Sequence, residues 1–236
     1  APDRAAFLAA NAAGAAQVAE AAARYGCSRF VHLSSLVARE PALSPYAETK
    51  ALGEVEVLRR RDRLRVSVVR PPAVYGPGDR ATLPILQGLA RGWLLAPGSR
   101  GSRFSLLYVR DLSALVVTLL RADLPSGVVL EPDDGRDGGY GWGDLARLAG
   151  EALGRKVRKV GVPAGPLRLA AAVAERHARA SGRQPLLSRA KLAELLHPDW
   201  VCDRGTWAGL EGWSPKTGFV QGLPLTLAWY REAGWL

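Results

Sequence analysis

Short apolar runs alternate along this chain with longer helix-favouring stretches. Residues from about 3 to 25 are alanine-rich, and Gly26 stands where a helix C-cap belongs. The run Arg29-Phe-Val-His-Leu predicts a first strand at about 29 to 34. Ser44-Pro45 reads as an N-cap followed by proline at the first helical position, and the helix it starts runs through Tyr46 and Lys50 to the arginine cluster at 59–63. Val66 to Val69 predicts a second buried strand that ends at Arg70-Pro-Pro. Strand, crossover helix and strand form a βαβ unit, which implies a parallel sheet.

Past Gly78 the pattern loosens. A short helix near 83 to 91 leads to strands near 93 to 96 and 104 to 109, after which Asp111 is placed to cap an aliphatic helix reaching about 122. Val128 to Leu130 reads as one more sheet strand. Helices then dominate, at 142 to 153, 163 to 181, 187 to 196 and 221 to 233. Five of the seven tryptophans fall in the last 37 residues, so this end is expected to form a compact core of its own.

Composition narrows the class. At 236 residues and 48% hydrophobic content the chain is globular, with room for one large domain or two small ones. No apolar run spans a bilayer and no signal-peptide pattern opens the chain, so the expected location is the cytosol, with no membrane partner. The formal charge of +10 is spread along the chain, and its one dense cluster ends a helix where positive charge suits the macrodipole, so no nucleic-acid partner is expected. Cys27 and Cys202 read as inert packing residues, and His32, His177 and His197 form no metal constellation. A chain without methionine that opens on Ala1-Pro-Asp-Arg is expected to be part of a longer one.

The candidate chemistry lies on the second helix. Side chains four apart share a helix face, so Lys50 sits beside the Tyr46 phenol, and eleven residues upstream of Tyr46 the first strand ends in Ser34-Ser35. A tyrosine with an ordinary pKa near 10 is a poor base, and one ammonium about 5 Å away supplies on the order of 3 kcal/mol towards the phenolate at an effective dielectric near 20. A serine hydroxyl at the strand end can hold a substrate oxygen while the proton moves. Spacing alone would leave Tyr46 and Lys50 as exposed helix decoration. Their setting argues otherwise, because Val-Val-Arg-Pro-Pro-Ala-Val-Tyr-Gly-Pro-Gly-Asp at 68–79, Leu-Tyr-Val-Arg-Asp-Leu at 107–112 and Gly-Trp-Ser-Pro at 212–215 follow them.

Together these residues resemble the extended short-chain dehydrogenase/reductase superfamily, the NAD-dependent epimerase/dehydratase group, and Asn11-Ala-Ala-Gly-Ala is similar to its Asn-x-x-Gly-Thr helix. The resemblance implies an α/β fold: a Rossmann-like, doubly wound parallel sheet with a smaller, mainly helical C-terminal substrate domain. Residues 1–132 would be the later part of the cofactor domain, interrupted at about 79–104 by a substrate-domain segment, and 133–236 the substrate domain. About 80 to 90 further residues upstream, with the glycine turn that binds the pyrophosphate, are implied as well.

The same resemblance implies a catalytic trio, with Ser35 holding substrate, Tyr46 as general acid/base and Lys50 lowering its pKa and bonding the nicotinamide ribose. Ser34 is the fallback hydroxyl. Ser34, Tyr46, Lys50, Pro71, Pro72, Ala73 and Val74 would contact an NAD or NADP cofactor, and no metal is expected. The resemblance offers Asn11 as support for the site, while a helical asparagine by itself reads first as a neutral surface or capping residue. The glycines at 135–143 give Gly-x-Gly-x-Gly and read as a flexible connection.

The expected function is hydride transfer to or from a small-molecule substrate by an NAD(P)-dependent dehydrogenase, reductase or epimerase. A non-catalytic nucleotide-binding or scaffold member of the same fold, or a truncated inactive remnant, is the alternative. Ala73 stands where sugar-nucleotide members have Asn, and Leu36-Val37 where dehydratases have Asp-Glu, which weakens both substrate classes. A homodimer is implied through the helices at about 3 to 25 and 44 to 62.

Overall fold

The structure is a computed structural model and describes residues 4–98, 101–181 and 187–236. The opening Ala1-Pro-Asp, and with it the expected start of the first helix, lies outside the described residues. In chain order the elements are α1 (Arg4–Phe7), a π-helical turn (Leu8–Ala13), α2 (Gly14–Arg24), β1 (Arg29–Leu33), a 3-10 turn (Leu36–Arg39), α3 (Pro45–Leu58), β2 (Arg65–Val69) and β3 (Ala73–Tyr75). Then come α4 (Leu83–Ala90), β4 (Trp93–Pro97), β5 (Arg103–Phe104), β6 (Leu106–Tyr108), α5 (Val109–Leu119), β7 (Val128–Leu130) and β8 (Tyr140–Gly141). The chain continues with α6 (Trp142–Leu153), β9 (Arg158–Val162), α7 (Ala164–Ser181), α8 (Arg189–Leu196), β10 (Asp199–Trp200), a 3-10 turn (Arg204–Thr206) and α9 (Phe219–Glu232). They divide into two compact units, one made of residues 1–71, 116–131 and 165–195 and the other of 72–115, 132–164 and 196–236.

The first unit holds a parallel three-stranded sheet in the order β1-β2-β7, with Phe30 opposite Val66 and Val68 opposite Val129. Val66, Val68 and Val69 are fully buried, as a central parallel strand covered on both faces requires. Ala19, Val57 and Leu64 pack with Val66 and Val68 into one cluster, which seats α2 and α3 on the sheet. Helix α3 starts where the sequence implied: Ser44 is extended, its hydroxyl accepts the Ala47 N–H at 3.0 Å, and Pro45 occupies the first turn. The helix ends at Leu58, short of the arginine cluster. The cluster acts as a clamp, because Arg60 and Arg63 each reach Glu20 of α2 at 3.0 Å.

In the second unit the strands are short: β3 pairs with β6 and β4 with β9 in parallel, while β5 lies between parallel β10 and antiparallel β8. The core gathers Tyr75, Leu89, Leu94, Tyr108, Tyr140, Leu145, Leu223 and Tyr230, with Trp229 and Trp235 packed against it. The tryptophan-rich end therefore shares a core with 72–115 and 132–164 and does not build a separate one. The expected Asp111 cap is also corrected, since α5 begins at Val109 and Asp111 lies inside its first turn. Asp111 instead ties two segments together, its carbonyl accepting the Trp213 indole N–H and its carboxylate the Thr217 N–H, both at 2.9 Å.

The glycine run at 135–143 leads into β8 and α6 and is held by Arg103 and Asp144, so it is not a loose connection. Gly135, Gly138 and Gly139 have positive φ, and the Arg103 guanidinium donates to the carbonyls of Gly138 and Gly139. Gly135, Gly138 and Gly141 also stand at three-residue spacing before a helix, but the N–H of Gly141 is taken by the Asp144 carboxylate at 3.0 Å. The helix start that would face a phosphate is thus filled by the protein's own carboxylate. Cys202 is buried with its sulfur against the Pro132 carbonyl, whereas Cys27 is exposed and does not pack.

One carboxyl in this unit has a consequence for stability. Burial raises Asp134 from 3.8 to about 6, against the opposing hydrogen bond from the Tyr140 hydroxyl. A folded-state pKa above the unfolded value means that the native state binds the extra proton, so this contribution is complete below about pH 4 and fades as pH rises through about 6. Asp134→Asn is expected to flatten that part of the stability profile, read as the thermal midpoint against pH. An unchanged slope would count against the assignment.

Candidate active site

Ser34, Ser35, Tyr46, Lys50 and Pro71 lie in the first unit, where β1 runs out over α3. Two consecutive residues of the strand end are each held by one side chain of the helix, and the third, Ser35, acts on a third side chain, Tyr46. The Lys50 ammonium donates to the Leu33 carbonyl at 2.8 Å, the Ser34 hydroxyl donates to the Glu54 carboxylate, and the Ser35 hydroxyl favours ionisation of the Tyr46 phenol. Tyr46, Lys50 and Glu54 can do this because positions four apart line one face of a helix. Backbone bonds fix the strand end from the other side: the Ser34 N–H reaches the Val69 carbonyl at 2.8 Å and the Leu36 N–H the Pro71 carbonyl at 2.9 Å. Ser35 is extended and opens the turn Leu36–Arg39. Pro72, Ala73 and Val74 belong to the second unit, with Ala73 and Val74 in β3.

The electrostatics differ from the simple expectation that Lys50 depresses the phenol. Burial holds Tyr46 above the ordinary tyrosine range, the Ser35 hydroxyl opposes this, and the Glu194 carboxylate adds a smaller upward push. Burial lowers Lys50, with the charge of Glu54 working against it. Glu194 of α8 accepts a hydrogen bond from the Ser44 hydroxyl, and burial raises its own pKa.

Several contacts around the site go beyond what the sequence implies. Asn11 is not a neutral surface residue: its side-chain amide donates to the Thr49 hydroxyl at 3.0 Å, and Thr49 in turn donates to the Tyr46 carbonyl at 3.1 Å. Phe7 packs its ring on Tyr46 with centroids 5.7 Å apart. Arg70 forks onto Glu54 with bonds of 2.9 and 2.6 Å and also reaches Glu131 at 3.5 Å, while Arg39 meets Glu131 at 3.2 Å. His32 is buried with no hydrogen-bond partner for Nε2 among the described residues, and burial, then Lys50, lowers its pKa. Glu54 could have been found from its spacing, one turn beyond Lys50 on the same face.

Comparison with known proteins gives the family and the fold. The sequence profile of the NAD-dependent epimerase/dehydratase family matches residues 2–130. The chain is 38% identical over 226 residues to a ceramide reductase of Caulobacter vibrioides, covering 96% of this chain and 69% of that protein. Its fold is similar to that of the Bordetella bronchiseptica enzyme WbmG, solved with NAD and UDP, with a TM-score of 0.70, 18% identity, and coverage of 100% of this chain and 70% of that one. It is also similar to UDP-glucuronic acid 4-epimerase from Bacillus cereus, solved with NAD, with a TM-score of 0.65, 17% identity, and coverage of 93% and 66% respectively. Both likenesses are to Rossmann-type α/β folds. The chain belongs to the NAD-dependent epimerase/dehydratase family, whose members are NAD-dependent oxidoreductases and epimerases.

Proposed function

We propose that this chain carries the active site of an NAD(P)-dependent reductase, with Tyr46 as general acid and a carbonyl on a ceramide-type substrate as its target. The observation that carries the chemistry is a buried Tyr46 phenol one helical turn from Lys50, whose ammonium is fixed on the Leu33 carbonyl, with the Ser35 hydroxyl easing the phenol's ionisation. Reduction requires a proton for the carbonyl oxygen. A phenol kept protonated by burial suits that role, and the Ser35 hydroxyl beside it suits holding the oxygen. Ser34, whose hydroxyl is engaged by Glu54, is the weaker candidate for substrate contact.

The residues fit the ribose end of a nicotinamide cofactor. An ammonium has three donors, the Leu33 carbonyl takes one, and two remain for a diol. Lys50 and Tyr46 would hold that ribose, with Ser34 and Pro71 of the same unit supplying further contacts. When bound, the cofactor supplies the hydride. The substrate class rests on the 38% identity to the ceramide reductase, and Ala73 and Leu36-Val37 weaken the sugar-nucleotide and dehydratase readings.

The test is oxidation of NADH or NADPH by the natural full-length protein with a ceramide-type ketone and, in parallel, epimerisation of a UDP-sugar. Ketone-dependent oxidation supports the reading and identifies the cofactor. UDP-sugar turnover without it moves the protein to the epimerase branch. A homodimer belongs to the same proposal, because Val18 of α2 and Leu52 and Val55 of α3 leave apolar side chains exposed. A single-chain mass in solution would remove that part.

A further inference from the structure

Glu54 lies outside the proposed chemistry but in the middle of the contacts that hold it. A carboxylate with only 4% of its surface exposed is costly unless paired and hydrogen-bonded, and Glu54 is both. Arg70 grips it in a two-pronged fork, the geometry that gives an ion pair direction as well as strength. Its remaining contact is the Ser34 hydroxyl. From Arg70 the chain of charges continues to Glu131 and then to Arg39, so negative and positive groups alternate. The two ends of this chain fall on either side of Ser35, with Ser34 immediately before it and Arg39 at the end of the turn that Ser35 opens.

We propose that Glu54 is a positioning residue: anchored by Arg70, it holds the Ser34 hydroxyl, thereby sets Ser35 against the Tyr46 phenol, and places a compensating charge beside Lys50. The two functions are separable. The tether runs through the Ser34 hydroxyl, whereas the charge acts across one helical turn. Lys50 is otherwise pushed towards its neutral form by burial, and Glu54 is the opposing influence on it. The neighbouring His32 feels both groups, and Tyr46 faces Ser35 and Glu194. This inference rests on reading Ser35, Tyr46 and Lys50 as the reacting groups, but its test needs neither substrate nor cofactor.

The experiment follows two titrations by carbon-13 NMR on the full chain, one of ring-labelled tyrosine and one of isotopically dimethylated lysine. Tyr46→Phe and Lys50→Arg assign the two resonances by their loss. Glu54→Gln removes the charge but keeps an oxygen for Ser34, and Lys50 is expected to titrate at lower pH than in the wild type. Ser34→Ala cuts the tether but leaves the Glu54–Arg70 pair. Tyr46 is then expected to titrate at higher pH, because the Ser35 hydroxyl that favours the phenolate is no longer set by its neighbour, while Lys50 stays in place. Ser34→Thr, which restores a hydroxyl, should return the Tyr46 midpoint towards wild type. Either a stationary Lys50 midpoint in folded Glu54→Gln or a stationary Tyr46 midpoint in Ser34→Ala overturns the proposal. Should Glu54→Gln fail to fold, Ser34→Ala, which removes one hydroxyl, decides alone. Unchanged turnover in Tyr46→Phe would instead remove the catalytic reading and leave these midpoints as they are.

Discussion

Tyr46→Phe is expected to lower kcat for carbonyl reduction by about 10² to 10⁴, the usual worth of a placed general acid. Phenylalanine keeps the ring that packs on Phe7 and loses only the hydroxyl. The protein should therefore fold as before, with a thermal midpoint close to wild type. Nicotinamide affinity should change less than turnover, because Lys50 and its bond to Leu33 are untouched. Stopped-flow measurement at saturating cofactor separates the two. A loss confined to KM with kcat unchanged would mean that Tyr46 binds substrate without donating the proton.

Gly53→Ala is the second large effect, and its sign is the reverse of what helix propensity predicts. In an exposed helix interior, alanine is about 1 kcal/mol better than glycine. At position 53 of α3 the added methyl would lie 2.3 Å from the Asn11 carbonyl oxygen, a backbone atom of the π-helical turn. Backbone cannot swing aside as a side chain can, so α3 and the turn must separate. Overpacking of this kind costs about 1 to 3 kcal/mol, enough to cancel the propensity gain or exceed it. The expected result is a midpoint lowered by up to several degrees, at roughly 2 to 4 °C per kcal/mol for a domain of this size. Separation would also pull Thr49 from Asn11 and disturb the helix turn that carries Lys50. A midpoint higher than wild type would show that the close approach is not as tight as described.

Gly53 also marks the limit of what could be read in advance. Helix α3, β1 and β2 were legible because their signals are local: a Ser-Pro start, a five-residue apolar run, a valine-rich strand. Tyr46 and Lys50 were legible because helical spacing places them together wherever α3 packs. The π-helical turn around Asn11 was not, since its cause is a contact with a helix about 40 residues away. Strands β8 and β10 have two residues each and exist only through pairing with β5. Strand β9 is largely polar and exposed and owes its form to β4, more than 60 residues earlier. Spacing places Glu54 on the face of Lys50 but does not give its burial. A glutamate within a helix reads as solvated surface, and only the approach of Arg70 and Ser34 from the sheet turns it into a buried charge.

The proton donor is the central claim, and the pH dependence of kcat tests it most directly. Burial holds Tyr46 protonated beyond the ordinary tyrosine range, so reduction by the full-length protein should be level through neutral pH and fall only on the alkaline side as the phenol ionises. The profile is to be measured from about pH 6 to about 11, for the wild type and for the residual activity of Tyr46→Phe. A plateau with one alkaline limb that disappears in Tyr46→Phe is the predicted result. A rate that climbs with pH, or an alkaline limb that survives unchanged in Tyr46→Phe, would contradict it.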